Sequence, residues 1–126
     1  MKSMYSPQLL DHFQNPRNAG ELAASDAVAE ISNPVCGDVI RISLQVRDDR
    51  IAEIRFKAKG CVPSMACASA LMELAQGKTI SEARKLTRDD VVAAVGGVPP
   101  ASAHAAQLAV DTLSAALHQI AAAGKP

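Results

Sequence analysis

Two neighbouring segments in the middle of the chain alternate between apolar and polar residues. Their apolar positions are Ile40, Ile42, Leu44 and Val46 in the first segment and Ala52, Ile54, Phe56 and Ala58 in the second. A period of two residues predicts β-strands that each bury one face. Asp48-Asp49 between them is typical of a turn, so the two strands are predicted to form an antiparallel hairpin. Residues 28–31 are predicted to add a third strand.

Helices are predicted where start and stop signals flank the apolar patterns in the rest of the chain. Ser6-Pro7 can supply the N-cap and first residue of a helix that ends at Asn15-Pro16. Further helices are expected over residues 63–76, behind capping boxes that begin at Thr79 and Thr87, and over about residues 101–123. This order predicts a single α+β domain over residues 1–126, with helices packed on one face of a small antiparallel three-stranded sheet.

Composition and charge argue against two classes of partner. Lys+Arg and Asp+Glu each number 13, which gives a formal net charge of zero, and aromatic residues make up only 2% of the chain. The chain therefore lacks both the positive charge that attracts phosphates and the aromatic side chains on which bases stack, so nucleic-acid binding is not expected. No apolar run approaches the ~18 residues that a membrane span needs.

The first residues of the chain and the number of cysteines indicate the cellular compartment of the protein. The first residues show no apolar segment or cleavage site of a secretory leader. Three cysteines cannot all pair with one another, and an odd count without a leader indicates reduced thiols in the cytoplasm.

The cysteines are also the main candidates for chemistry. Cys36 and Asp38 lie at the start of the first hairpin strand, and Gly60-Cys61 lies at the end of the second. Because the start of one hairpin strand lies beside the end of the next, both thiols are expected at one end of the sheet. The adjacent glycines and the Asp38 carboxylate favour a metal site over the alternative of two small buried cysteines.

Two further residues are weighed for the same site. His104 is placed in the first turn of the last helix, where the helix dipole favours the neutral, ligating imidazole, although alone it would be interpreted as a solvated residue. Cys67 is interpreted as a core residue, with a spare thiol near Cys61 as the alternative. Asp111 and His118 follow His104 at seven-residue steps, about 10.5 Å of helix each, which is too far for one metal and indicates a solvated face.

Taken together, these segments resemble the IscU/NifU-type iron–sulfur cluster scaffold family over nearly the whole chain. The matching segments are residues 5–18 with their Asn-Pro-Arg-Asn end, Pro34-Val35-Cys36-Gly37-Asp38, the run from Phe56 to Gly60-Cys61, and Val98-Pro99-Pro100 followed by His104.

The resemblance implies an IscU-like fold and a scaffold that is not an enzyme. Such proteins receive sulfur from a cysteine desulfurase, assemble a [2Fe–2S] cluster on three cysteines with help from an aspartate, and pass it to acceptor apo-proteins. Zinc can occupy the same ligands. By position, Cys36, Asp38, Cys61 and His104 inherit the roles of ligands for iron, the cluster or zinc.

The chain departs from the family pattern at two places. Ala105 stands where the family has a third cysteine directly after the histidine, and alanine can neither ligate metal nor carry persulfide. Ala101-Ser102 stands where a segment recognised by an Hsp70-type chaperone would continue from Pro-Pro into Val-Lys, and the loss of the lysine weakens that inference.

Three functions are compared on this basis. The first is an atypical IscU-like protein that takes part in cluster assembly or carries a cluster or metal. The second is a diverged zinc-binding paralogue that acts as a partner-binding or regulatory module. The third, less favoured, is a thiol redox protein that uses Cys61 and Cys67.

Overall fold

The computed structural model describes residues 5–34 and 37–123, with the backbone alone for 121–123. The strands are β1 (Ala27–Asn33), β2 (Asp38–Arg47) and β3 (Arg50–Lys59). The α-helices are α1 (Pro7–Gln14), α2 (Val62–Ala75), α3 (Ile80–Arg84), α4 (Arg88–Ala94) and α5 (Ala103–Ala123), and a 3₁₀ turn, Pro100–Ser102, precedes α5. None of the helices within these ranges combines the length and the apolar character that a bilayer span requires.

The sheet has the order β1-β2-β3, and both pairings are antiparallel. The two-residue connection Asp48-Asp49 has positive φ at both positions, 55° and 63°. Such a connection matches the right-handed twist of the strands it joins, and aspartate tolerates the left-handed conformation better than most residues. The predicted hairpin and third strand are confirmed, and the third strand is longer than the four residues expected.

The buried face of the sheet packs against α2 and α5. The alternating apolar residues predicted to face inward are buried at Ile40, Ile42, Leu44, Ile54 and Phe56. The other three, Val46, Ala52 and Ala58, are half-buried, and near the turn the strand register shifts between Gln45 and Val46, so that Ile51 is buried in place of Ala52. Helix α2 lies against β3, α5, α1 and α4, and most of its residues are buried, which explains why its sequence is apolar on most sides. The α+β class predicted from the order of elements is therefore confirmed.

The helix signals act as predicted, with one shift at the last helix. Ser6 Oγ accepts a hydrogen bond from the Leu9 N–H at 2.9 Å, and both predicted capping boxes are formed, at Thr79 and Thr87. Helix α5 begins at Ala103 and not near residue 101. Proline has a fixed φ and no N–H, and the chain after Pro99 first makes a 3₁₀ turn, closed by the Ser102 N–H on the Pro99 carbonyl at 2.8 Å.

Candidate metal centre

The hairpin register brings Asp38 and Cys61 to the same end of the sheet. Val39 on β2 is opposite Lys59 on β3, so Asp38, the first residue of β2, lies beside the chain that leaves β3 at Gly60. Cys61 follows directly and is the N-cap residue of α2. Asp38 and Cys61 therefore lie together at this end of the sheet, whereas the predicted proximity of the two thiols is not tested, because Cys36 lies outside the described residues.

Asp38 is a buried carboxylate surrounded by hydrogen-bond donors. Its side chain is about as buried as the core, at 1% exposure. Oδ1 accepts from the Cys61 N–H at 3.0 Å, and Oδ2 accepts from the Ser64 hydroxyl at 2.7 Å and from the Cys61 thiol at 3.3 Å. Burial raises the pKa of the carboxyl, but the hydrogen bonds from Ser64 and Cys61, with a smaller contribution from the nearby His104 ring, outweigh it, and the net pKa is below the ordinary value. Asp38 is therefore an anion held in place for a cation.

Gly60 makes room for this carboxylate. Its φ is +138°, and a Cβ built on it would lie 2.0 Å from Asp38 Oδ1 and 2.9 Å from Asp38 Cα. A side chain at position 60 would therefore collide with Asp38 in a backbone conformation that L-residues rarely adopt. The glycine noted in the sequence before Cys61 is required by the position of Asp38.

His104 contributes a ring nitrogen from the first turn of α5. Its Nδ1 lies 3.1 Å from the Ala101 carbonyl oxygen. A carbonyl only accepts, so Nδ1 carries a proton, and Nε2 is the ring nitrogen that can bind a metal. Nε2 lies 3.5 Å from Asp38 Oδ2, and among the described residues it is a buried atom without a hydrogen-bond partner.

A bound cation would stabilise the contact between His104 and Asp38. A lone pair on Nε2 and a carboxylate oxygen repel each other unless a proton or a metal ion lies near both. One ligand atom from each of Asp38, Cys61 and His104 lies within 4.8 Å of the others. Metal bonds to sulfur, nitrogen and oxygen are about 2.0–2.3 Å long, so one ion can reach all three. This set of one sulfur, one nitrogen and one oxygen suits zinc or iron.

The structure groups three of the four predicted ligands. Asp38, Cys61 and His104 converge, and Cys61 is exposed, so the site opens to its surroundings. Cys36 lies outside the described residues, and its assignment as a ligand stays a prediction. Ala105, which follows His104, is fully buried and offers no ligand atom.

Cys67 lies in the core, as interpreted from the sequence. It is fully buried, and burial, with a smaller contribution from Cys61, raises the pKa of its thiol to about 12. A thiol that stays protonated is a poor nucleophile, which argues against a redox couple between Cys67 and Cys61. On α5, Asp111 and His118 are exposed, which confirms the solvated face predicted for them.

Ser64 belongs to the site and was not among the residues predicted from the sequence. It is fully buried in the first turn of α2, and its hydroxyl contacts both Asp38 and Cys61. The signal was its spacing: residue i+3 from an N-cap position lies next to the N-cap side chain. A serine three residues after a candidate ligand at a helix N-cap can therefore be expected to contact that ligand.

Comparison with known proteins identifies the family. The family described as NifU-like N terminal domain matches residues 4–125. The chain belongs to this family. The IscU/NifU resemblance found in the sequence is thereby confirmed.

Relatives named as scaffolds cover most of the chain. "Iron-sulfur cluster assembly scaffold protein IscU 1" of Archaeoglobus fulgidus is 47% identical over 114 residues, which are 90% of this chain and 74% of the relative. "Iron-sulfur cluster assembly scaffold protein IscU" of Aquifex aeolicus is 39% identical over 119 residues, 93% of this chain and 76% of the relative.

A solved structure has the same fold. The N-terminal part of a nitrogen-fixing NifU-like protein from Brucella abortus superposes with a TM-score of 0.82 at 22% identity, covering 95% of this chain and 96% of that one. The likeness supports the α+β fold with its three-stranded antiparallel sheet.

Proposed function

We propose that this protein is an iron–sulfur cluster assembly scaffold or carrier that binds iron or a [2Fe–2S] cluster through Cys36, Asp38, Cys61 and His104. The observation that carries the proposal is a buried carboxylate oxygen at 3.5 Å from the buried His104 Nε2, which makes no hydrogen bond within the described part of the chain, beside the Cys61 sulfur. The family and the names of its relatives support iron–sulfur assembly over other uses of such a metal site.

Each grouped residue has a distinct part in holding and releasing the cargo. Cys61 supplies a soft thiolate at an exposed position, where a donor or acceptor protein can reach it. Asp38 supplies a hard oxygen, which binds iron less firmly than a thiolate does in a cluster and so favours exchange. His104 supplies a neutral nitrogen whose orientation is fixed by the Ala101 carbonyl. In this proposal the protein binds iron or a cluster and transfers it to an acceptor, and it is not an enzyme.

The proposed partners follow from the same function. They are a cysteine desulfurase that supplies sulfur and apo-proteins that accept the cluster, in a reducing cytoplasm. An Hsp70-type chaperone is a weaker proposal, because Ala101-Ser102 replaces the expected continuation after Pro99-Pro100.

Anaerobic reconstitution with iron and sulfide tests the proposal. The parent protein is expected to develop the visible absorption of a [2Fe–2S] cluster and to transfer it to an apo-ferredoxin. His104→Ala is expected to lose most of this absorption, whereas His118→Ala, an exposed histidine on the same helix, should match the parent. A parent that remains colourless and binds one zinc ion per chain would contradict the proposal.

The second candidate is a zinc-binding module without cluster assembly. Ala105 favours it, because that buried methyl group replaces the third thiolate of the family, while two thiolates, one imidazole and one carboxylate still complete a tetrahedral zinc site. Anaerobic reconstitution with iron and sulfide separates the two candidates, because only the first is expected to form the [2Fe–2S] chromophore.

A further inference from the structure

Ser64 lies between two of the three grouped ligands. Its hydroxyl is fully buried, donates to Asp38 Oδ2 at 2.7 Å and lies 3.3 Å from Cys61 Sγ. Both acceptors are therefore within hydrogen-bond distance of one freely rotating hydroxyl group.

The contact with Asp38 is the shorter of the two. At 2.7 Å it is a hydrogen bond from the Ser64 hydroxyl to a carboxylate oxygen, whereas either atom can be the donor in the 3.3 Å contact with Cys61 Sγ. The hydroxyl therefore donates to Asp38, and the Cys61 sulfur is a second acceptor within its reach.

A bound metal would change both acceptors. A ligating cysteine is a thiolate, which accepts hydrogen bonds and no longer donates to Asp38. A carboxylate oxygen that shares its electrons with a cation is a weaker acceptor than a free one. Rotation of the Ser64 hydroxyl alone can move its proton from Oδ2 to the sulfur, and no backbone movement is needed.

We propose that Ser64 is a positioning residue whose hydroxyl orients Asp38 in the metal-free site and donates to the Cys61 thiolate once metal or cluster is bound. The inference rests on the proposed function. Hydrogen bonds to ligating sulfur stabilise the more reduced state of a cluster. Ser64 would therefore tune the Cys61 sulfur as well as hold the carboxylate.

Titration with Co²⁺ alone tests this role, because the charge-transfer band from thiolate to cobalt reports the state of the sulfur. Ser64→Ala is expected to move this band to longer wavelength and to weaken Co²⁺ binding by about 10–100-fold. Ser64→Thr keeps the hydroxyl and should restore the parent band. Ser69→Ala, which removes another fully buried serine of α2, should leave the band unchanged.

The outcomes separate the inference from the proposed function. An unmoved band in folded Ser64→Ala, even with weaker binding, would show that Ser64 acts through Asp38 only and would overturn the inference. A parent that shows no thiolate-to-cobalt band would overturn the proposed function and, with it, the inference.

A measurement on the unaltered protein covers the case in which Ser64→Ala does not fold. Proton NMR with Zn²⁺ is expected to show a stronger nuclear Overhauser effect from the Ser64 hydroxyl proton to the Cys61 β-protons after zinc binds. An effect that is the same with and without zinc would overturn the inference independently.

Discussion

At the scale of the single residue, Asp38 combines burial with a retained charge. Removing a carboxylate from water raises its pKa, but the donors from Ser64 and Cys61 stabilise the anion and prevail. The same donors hold Oδ2 at 3.5 Å from His104 Nε2. The carboxylate and the ring nitrogen are thus positioned so that both can contact one cation.

Gly60→Ala tests whether the space beside Asp38 is needed for binding. The added Cβ would meet Asp38 Oδ1, so the variant is expected to lose about 1–3 kcal/mol of unfolding free energy and most of its affinity for Co²⁺. The measurements are urea unfolding and cobalt titration.

Gly77→Ala is the matched control for that variant. Gly77 also has positive φ, +81°, but a Cβ there would meet nothing within 4 Å. The Gly77→Ala variant should therefore lose unfolding free energy and keep the parent's affinity for Co²⁺. Equal losses of affinity in the two variants would contradict the account of Gly60.

Ala105→Cys tests whether the missing thiolate limits the site. A cysteine directly after His104 would restore the ligand number of the family, and the reconstituted cluster is expected to last several times longer on exposure to air. The decay of visible absorbance measures this lifetime. If the variant decays at the parent's rate, Ala105 is not the limiting feature.

Single ligands could be predicted from the sequence, but their surroundings could not. The hairpin register places Asp38 and Cys61 at one end of the sheet, whereas His104 joins them in the sequence only through the two cysteines and the family resemblance, and the ligand role of all three stays a prediction. Ser64 was missed because a serine after an N-cap looks like any other helix residue until its hydroxyl is placed. The need for glycine at position 60 was also invisible, because the collision is with a residue of another strand.

At the scale of the element, α1 is fixed to α2 by the buried side chain of His12. Ser69 Oγ accepts from the Arg17 N–H at 2.8 Å and also lies 2.8 Å from His12 Nδ1. The other ring nitrogen, Nε2, lies 3.4 Å from Glu73 Oε1. The ring is buried between these contacts, at 6% exposure.

Acid is therefore expected to destabilise the attachment of α1. Burial, with Arg17 second, lowers the pKa of His12 below its ordinary 6.5, although Glu73 and Asp11 oppose the shift. A lowered pKa in the folded state means that the unfolded chain binds more protons, so stability falls as the pH drops below about 6.5 towards the folded pKa. Urea unfolding between about pH 7.5 and pH 5 measures it.

His12→Gln should give a lower but flatter stability curve over that range. Gln can keep a hydrogen bond to Ser69 and does not titrate. His118→Gln, at an exposed position on α5, should keep the parent's slope. Parallel curves for the parent and His12→Gln would refute the assignment to His12.

The sequence predicts a structural element correctly where a few adjacent residues determine it. The Asp48-Asp49 turn, the Ser6 cap and the two capping boxes depend on a few adjacent residues, and each is formed. The ends of β1 and the start of α5 depend on pairing with β2 and on the geometry after Pro99, and these boundaries differed by one to two residues.

At the scale of the whole molecule, the candidate site joins the ends of four elements. Asp38 begins β2, Cys61 lies in the link from β3 to α2, and His104 lies in the first turn of α5. A metal bound there holds the sheet, the central helix and the last helix together. Ligand binding and folding stability should therefore be coupled.

Zinc is expected to stabilise the parent protein against unfolding. At a free concentration of about 100 times its dissociation constant, a ligand that binds only the folded state adds about 2.7 kcal/mol. The rise in the midpoint of thermal unfolding should be reversed by a chelator and be much smaller in Asp38→Ala. Zinc that leaves the parent's midpoint unchanged would contradict the coupling.

X-ray absorption spectroscopy of the zinc-loaded protein tests the central claim most directly, because it reports the ligand atoms themselves. The account predicts a mixed shell, with sulfur at about 2.3 Å and nitrogen or oxygen at about 2.0–2.2 Å. It also predicts an imidazole scattering pattern that disappears in His104→Ala and persists in His118→Ala. A shell without sulfur, or an imidazole signal unchanged in His104→Ala, would contradict the claim that Cys61 and His104 bind the metal together with Asp38.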